Sequence, residues 1–448
     1  MTISGLGGPT LARGLVIAAP RSGSGKTMLT LGLMRSYRNA GLSVAGSKCG
    51  PDYIDTAFHA AATGRQSFNL DSWAMPPALL AQLGDATGDA GGLILCEGLM
   101  GLFDGVPGEA GRTGSTADIA AALGWPVLLV LDVSGQSQTA GAIVQGCASF
   151  DPRIKIAGVV LNRVASPRHQ RLVSESIEAL GLPVLGALPR DENISLPERH
   201  LGLVQAGETR GLDTLLDRIA AFICEHVDTS AILACARASP VPDHAEALAL
   251  PPPAKRIAIA RDEAFSFLYP HILAGWRKAG AELTFFSPLA NEPPPADCDL
   301  CWLPGGYPEL HAGQLAASAR FLDGLRRFAK TKPVHGECGG YMVLGQSLTN
   351  QTGQTHRMAS LLDASFSFVK RKLHLGYRQA RLAAEHPLGT EGTVLRGHEF
   401  HYATLDANGD PPFAFVRDAH GGDEKAEGGR RGLVTGSFFH IIAAEGRP

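Results

Sequence analysis

The sequence predicts two α/β lobes, each built on a mostly parallel sheet with helices on both faces. Three observations carry this. Short apolar runs, Leu15 to Ala18, Leu93 to Cys96, Val127 to Asp132, Ile156 to Asn162 and Val184 to Leu188, alternate with helical stretches, the βαβ pattern of strands covered on both sides. The rhythm stops near Ser239, where Pro240, Pro242 and then Pro251, Pro252 and Pro253 bracket an alanine-rich stretch of linker composition. It resumes with Arg256 to Ala260, Leu283 to Phe286, Leu300 to Leu303 and Val334 to His335. The expected division is a first domain over 1–238, a linker over 239–254 and a second domain over 255–448. A chain of 448 residues also exceeds one core at ~100 to 200 residues per domain.

Composition narrows the function classes. With 45% hydrophobic and 19% charged residues the chain buries real cores, and a formal net charge of −3 offers no broad surface for a polyanion. Nucleic acid is therefore not an expected partner. No apolar run reaches the ~20 residues of a bilayer span, and Met1 to Thr10 lack the basic and apolar regions of a secretion signal. The eight cysteines are scattered and read as reduced thiols of a cytoplasmic protein without a membrane partner. Cys298 and Cys301 form a single C-x-x-C beside the apolar run Leu300 to Leu303. With no second pair, buried strand residues are the better reading than metal ligands.

Strand Leu15 to Ala18 leads into Pro20-Arg21-Ser22-Gly23-Ser24-Gly25-Lys26-Thr27 and a helical stretch from Met28. In that context the backbone N–H groups of Ser22 to Thr27 and a helix N-terminus cradle phosphates. Lys26 is expected to reach the β and γ phosphates of ATP, and the Thr27 hydroxyl to hold Mg²⁺. A capping turn with an incidental lysine explains the flanking strand and helix less well. Pro20 stands where the common pattern has glycine, so the entry turn must differ. Glu97 and Asp104, within the glycine-spaced stretch to Gly105, sit where ligands gather at the ends of parallel strands and are expected near the metal. Turn-forming surface acids are the plainer alternative. Asp132 and Asn162 each end a strand, as candidates for a carboxylate behind the metal and for adenine recognition. Lys48 to Asp55 carries acids, an aromatic and a lysine, but Gly50-Pro51-Asp52 is also ordinary turn chemistry, and the residues alone leave both readings open.

In the second lobe Val334-His335-Gly336-Glu337-Cys338-Gly339-Gly340 has the strand, Gly-x-Cys-x-Gly, helix form of a nucleophile elbow. Cys338 is the expected nucleophile, with a helix N-terminus favouring its thiolate. The amides of Gly306, in Pro304-Gly305-Gly306-Tyr307-Pro308-Glu309, and of Gly339 are expected to form an oxyanion hole. A thiol hydrolase also needs an imidazole. His398, His401 and His440 are candidates, and His440, ending the strand-like run from Gly436, is preferred as the base over a purely structural histidine.

Taken together, these motifs resemble the a,c-diamide synthases of corrinoid biosynthesis, which act on cobyrinic or hydrogenobyrinic acid. The resemblance spans essentially the whole chain: Pro20 to Thr27, Lys48 to Asp55, Glu97 to Gly105, Leu196 to Leu203, Pro304 to Glu309, Gly336 to Gly340, Gly397 to Tyr402 and Gly436 to His440. It implies a dethiobiotin synthetase-like P-loop domain followed by a class I-like glutamine amidotransferase domain. Cys338 is then the glutaminase nucleophile activated by His440, Glu97 and Asp104 are ligands of ATP and Mg²⁺, and Asp52, Tyr53, Ile54 and Asp55 form a substrate-side loop. Related triads carry a glutamate two residues beyond the histidine; here that residue is Ile442, so a Cys-His dyad is expected.

The implied reaction moves the γ-phosphate of ATP onto a carboxylate and displaces it with ammonia from L-glutamine, released within an enclosed passage. Arg190, Arg199, His200, Lys370, Arg371 and Lys372 are candidate contacts for the remaining carboxylates of a corrin polycarboxylate, solvated surface charge being the rival reading for the last three. A monoamide must be released and rebound between the two amidations, and a homodimer is compatible with the sequence. Two other functions share parts of this pattern. A cobyric acid synthase-like amidase is disfavoured by Leu196 to Leu203, and a partitioning-type ATPase by the intact elbow at Cys338. The residues leave open whether the corrin carries cobalt and which carboxylate reacts first.

Overall fold

A computed structural model describes residues 12–88, 91–191, 194, 198–199, 202–203, 211–239 and 247–445. The chain divides into two compact units, Met1–Ala247 and Leu248–Pro448. The division falls within the proline-rich stretch, of which 240–246 lie outside the described residues. Among the described residues, no helix is long and apolar enough to cross a membrane.

The first unit contains β1 (Arg13–Ala18), β2 (Val44–Cys49), β3 (Phe68–Leu70), β4 (Leu93–Glu97), β5 (Val127–Asp132), β6 (Ile156–Val164) and β7 (Val184–Pro189), then the short hairpin β8 (Glu198–Arg199) and β9 (Gly202–Leu203), and β10 (Arg237–Ala238). Seven strands lie parallel in the order β3-β2-β4-β1-β5-β6-β7, and β10 adds antiparallel to the start of β1. Residues 15–17 of β1 are entirely inaccessible, as the uninterrupted apolar runs require of strands covered on both faces. Strand order reverses about β1, so the crevice for ligands opens at the C-terminal ends of β1, β2 and β4. Helix α1 (Lys26–Asn39) leaves the loop after β1, and α2 (Tyr53–Thr63) follows β2.

The second unit contains β11 (Arg256–Ala260), β12 (Glu282–Phe286), β13 (Leu300–Leu303), β14 (Val334–Glu337), β15 (Ser347–Thr349), β16 (Thr355–Arg357), β17 (Ala364–Ser367), β18 (His374–Leu382), β19 (Val394–His401), β20 (Thr404–Asn408), β21 (Ala414–Asp418), β22 (Lys425–Glu427), β23 (Gly429–Arg431), β24 (Val434–Ser437) and β25 (Phe439–Ala444). Its main sheet runs β12-β11-β13-β14-β24-β23, parallel except for the edge pair β23 and β24. A second sheet, β22-β21-β18-β19-β25, is antiparallel. Consecutive β24 and β25 belong to different sheets and bring the two together beside the end of β14. Cys301 lies within β13, all eight cysteines are free, and among the described residues no group of three or more His, Cys, Asp or Glu side chains is placed to hold a metal ion.

Candidate functional site

The loop after β1 wraps into α1 through Gly23 and Gly25, at φ +73° and +96°. Gly25 is fixed twice: its φ is left-handed, and a Cβ there would lie 2.3 Å from the Asn162 amide nitrogen. Asn162 Nδ2 donates to the Ser24 carbonyl at 2.8 Å, bracing the phosphate loop from the end of β6.

Parallel pairing of β2 with β4 sets Lys48 beside Glu97, and the two side chains meet with Nζ 2.9 Å from Oε1. The Thr27 hydroxyl donates to the same Oε1 at 2.6 Å, and His59 Nε2 lies 2.8 Å from Oε2. Lys48 also pairs with Asp55 at 2.5 Å. All of these side chains except Thr27 are buried. Burial opposes ionisation of Glu97, but Lys48, His59 and Thr27 outweigh it and hold its carboxyl well below the usual range. Lys48 is held above its ordinary value, burial being overcome by Asp55 and Glu97. For Lys26, burial and the charge of Lys48 win, pulling its ammonium downward. Its Nζ rests 2.6 Å from the Met100 carbonyl.

Asp132 accepts from Arg21 at 2.7 Å and Arg163 at 2.6 Å through Oδ2, and from the Ser134 hydroxyl through Oδ1. It therefore fixes two guanidinium groups instead of backing the Glu97 cluster. Arg163 lines, with Gly23, Lys26, Thr27, Asn162 and Arg190, a cleft of about 370 Å³, a size suited to a nucleotide.

The other expected residues separate by environment. Residues 53–55 form the first turn of α2, not a loop, and Asp52 is its N-cap, accepting from the amides of Ile54 at 2.7 Å and Asp55 at 3.1 Å. Tyr53 and Ile54 are buried, while Asp55 joins Thr27 and Glu97 around Lys48. Asp104 is exposed and accepts from the Gly101 amide at 2.8 Å, closing the turn after β4. Arg199 lies in the β8–β9 hairpin, His200 falls outside the described residues, and Lys370, Arg371 and Lys372 are exposed. The sequence pattern does not single out His59, although its place four residues after Asp55 puts both on one face of α2, and Lys48 stands out there only as part of its segment.

In the second unit Cys338 occupies the turn between β14 and the helix Gly339–Leu344, at φ 45° and ψ −101°. This is strained backbone for a residue with a Cβ. The Cys338 amide donates to the Ser437 carbonyl at 2.8 Å, and its sulfur lies 3.8 Å from the Phe400 carbonyl oxygen. Gly306 packs so tightly that a Cβ would fall 2.1 Å from the Ala264 oxygen. A Cβ at Gly339 would lie 3.1 Å from the Gly306 nitrogen, and one at Gly305 2.5 Å from His440 Cε1. The Gly305–Gly306 backbone thus lies against both His440 and the Cys338 turn, with the Gly306 nitrogen packed close to Gly339. His401 is committed elsewhere, stacked on Phe438 at 3.7 Å between ring centroids and bonded to the Ala403 carbonyl. His398 lies directly opposite His440 across β19 and β25, ring centroids 4.9 Å apart.

The expected thiolate-favouring effect of the helix terminus is overridden. Burial raises the Cys338 thiol, the charges of Glu309, Glu337 and Glu399 add to it, and the Gly339 amide opposes only part of this. Burial likewise drives the His440 imidazolium far down. The resting pair is a thiol and a neutral imidazole, which is the protonation state a general base requires.

Glu337, next to the thiol, accepts the Ile441 amide at 3.0 Å and is pushed by burial up to about 8. The folded chain holds this proton between the ordinary value of 4.5 and about 8 while the unfolded chain releases it, so stability falls as pH rises through that window. Glu337→Gln removes the titration. Denaturation midpoints of wild type and variant are expected to diverge from pH 5 to pH 8 in favour of the variant; parallel curves would refute the assignment.

A phosphate-binding loop on a parallel sheet and a cysteine elbow beside a buried histidine define a nucleotide-binding domain joined to a glutamine amidotransferase. Residues 15–204 match the CobQ/CobB/MinD/ParA nucleotide binding domain, and residues 256–448 the CobB/CobQ-like glutamine amidotransferase domain. The chain is similar over almost its whole length to hydrogenobyrinate a,c-diamide synthases. It is 56% identical to that of Mesorhizobium japonicum over 96% of this chain and 99% of the relative. For Agrobacterium fabrum the values are 54%, 97% and 100%, and for Rhodobacter capsulatus 56%, 96% and 99%. The chain belongs to this family and is a glutamine-dependent amidating ligase.

Proposed function

We propose that the chain amidates the a and c carboxylates of hydrogenobyrinic acid, a step of cobalamin biosynthesis, using ATP and ammonia drawn from glutamine. The observation that carries this is the presence in one chain of a complete phosphate loop over Glu97 and Lys48 and a strained Cys338 elbow, in a sequence 56% identical to a synthase of that name.

His440 takes the proton of the Cys338 thiol as sulfur adds to the glutamine amide carbon, and the carbonyl electron pair moves to oxygen facing the amides of Gly306 and Gly339. Collapse breaks the C–N bond, and His440 returns the proton to the departing nitrogen, giving ammonia and a thioester. Water then yields a proton to His440 and its oxygen to the acyl carbon; the C–S bond breaks, glutamate leaves, and the proton goes back to sulfur.

In the first unit a corrin carboxylate oxygen attacks the γ-phosphorus of ATP, ADP leaves, and ammonia displaces phosphate from the resulting acyl phosphate. Lys26 and Lys48 offset the negative charge that gathers on the transferred group. The hard oxygen donors Thr27, Glu97 and Asp55, drawn together around Lys48, suit Mg²⁺, which supplies charge neutralisation on the phosphates when bound. Asp104, exposed and accepting the Gly101 amide through Oδ2, lies near enough for its charge to act on Lys26 and is the further acid available to the metal.

The test is mass spectrometry of hydrogenobyrinic acid after incubation with the protein, ATP, Mg²⁺ and glutamine, cobyrinic acid serving as the cobalt-bearing comparison. Gain of two amides on the metal-free corrin is expected. An unchanged metal-free corrin beside an active glutaminase would overturn the substrate assignment.

A further inference from the structure

In related triads a carboxylate two residues beyond the base histidine fixes that imidazole; here Ile442 occupies the position and is fully buried. The side chain in ring contact with His440 from the neighbouring strand is His398. Antiparallel β19 and β25 set the two histidines directly opposite each other, and residues so paired share one face of a sheet. Their ring centroids are 4.9 Å apart at an interplanar angle of 32°, and both are buried, at 2% and 0% exposure. The register shifts between Arg396 and Gly397, just before His398. At Gly397 a Cβ would fall 1.9 Å from the His440 carbonyl oxygen, so only glycine lets β19 approach closely enough to deliver His398 there. Behind it, the Tyr269 hydroxyl lies 3.4 Å from His398 Nδ1, and Tyr269 is itself buried at 3%.

We propose that His398 is the positioning residue for His440, standing in for the absent carboxylate, and that Tyr269 sets the orientation of His398. The inference rests on reading Cys338 and His440 as the glutaminase pair. A neutral His398 with Nδ1–H donated to the Tyr269 oxygen keeps Nε2 as an acceptor. The imidazolium formed when His440 takes the thiol proton then meets a lone pair where a second cation would repel it. An uncharged partner suits this site better than a carboxylate would, because Glu309 and Glu399 already set negative charge around the thiol.

The experiment compares His398→Phe, which keeps the ring but no nitrogen, with His398→Gln, which keeps an acceptor and a donor, and with Tyr269→Phe. Three readouts are taken on the full-length protein: glutaminase kcat and KM, the rate at which iodoacetamide alkylates Cys338 followed on its peptide, and amidation supported by ammonium chloride. We expect His398→Phe to lower glutaminase kcat about tenfold to a hundredfold with KM for glutamine changed little. Alkylation of Cys338 should slow in parallel, ammonium-supported amidation should stay normal, and His398→Gln should recover part of both losses, with Tyr269→Phe in between. Wild-type kcat and alkylation in His398→Phe would overturn the proposal, as would equal losses in the Phe and Gln variants. Glutaminase activity surviving in Cys338→Ala would instead overturn the underlying assignment of the thiol.

Discussion

Cys338→Ala is expected to abolish glutamine-supported amidation, a loss of about a thousandfold or more, while amidation from ammonium chloride continues. Loss of the sulfur removes the covalent route to ammonia, and no other buried thiol of the second unit sits on such a turn. Cys301 lies within a strand and is raised by burial, and Cys298 is buried with its thiol raised for the same reason. The synthetase reaction needs ammonia and is indifferent to its source, so the two nitrogen donors separate the two units in one assay. Backbone strain supplies a control. At φ 45° and ψ −101° any residue with a Cβ carries a cost of about 1–3 kcal/mol, which glycine avoids. Cys338→Gly should therefore be as inactive with glutamine as the alanine variant yet unfold at a higher denaturant concentration. Loss of ammonium-supported turnover in both variants would mean that the elbow holds the second unit together and that its chemistry had been misjudged.

How far this was legible in the sequence depended on whether a feature was local. The sheets were, because a strand buried on both faces must be apolar along its length, as in Val127–Asp132. The loop from Ser22 to Thr27 and the elbow at Cys338 were too, since each is a chain reversal whose glycines are adjacent in sequence. Features made by pairing were not. Lys48 and Glu97 are 49 residues apart and become partners only through the register of β2 with β4. His398 and His440 likewise meet through a register shifted at Gly397. Charge environment was the least legible. The helix terminus behind Cys338 suggested a thiolate, but burial and three nearby carboxylates decide the matter in the opposite direction. Similarly, Asp104 looked equivalent to Glu97 as a loop acid, and only the exposure of one and the threefold partnering of the other separate them.

That threefold partnering makes Glu97→Gln the second large effect. The carboxylate accepts from Thr27 and Lys48 on one oxygen and meets His59 on the other. An amide keeps one acceptor but turns an NH₂ toward either the lysine or the histidine, and it removes the anion that balances Lys48. A buried ammonium left with Asp55 as its one remaining ion-pair partner weakens the first unit by about 1–3 kcal/mol, visible as a lower denaturation midpoint. The kinetic loss is expected to be larger, about a hundredfold or more in amidation from glutamine and ammonium alike, since both sources converge on the same acyl phosphate. Nucleotide binding should separate charge from structure. With Lys26 and Lys48 less opposed, ATP without metal should bind the variant at least as tightly as wild type, whereas the gain in affinity on adding Mg²⁺ should shrink, both measurable by calorimetry. A merely damaged loop would weaken binding in both conditions. A variant that keeps the full Mg²⁺ gain and normal turnover would show that Glu97 only braces Lys48 and that the metal is held elsewhere.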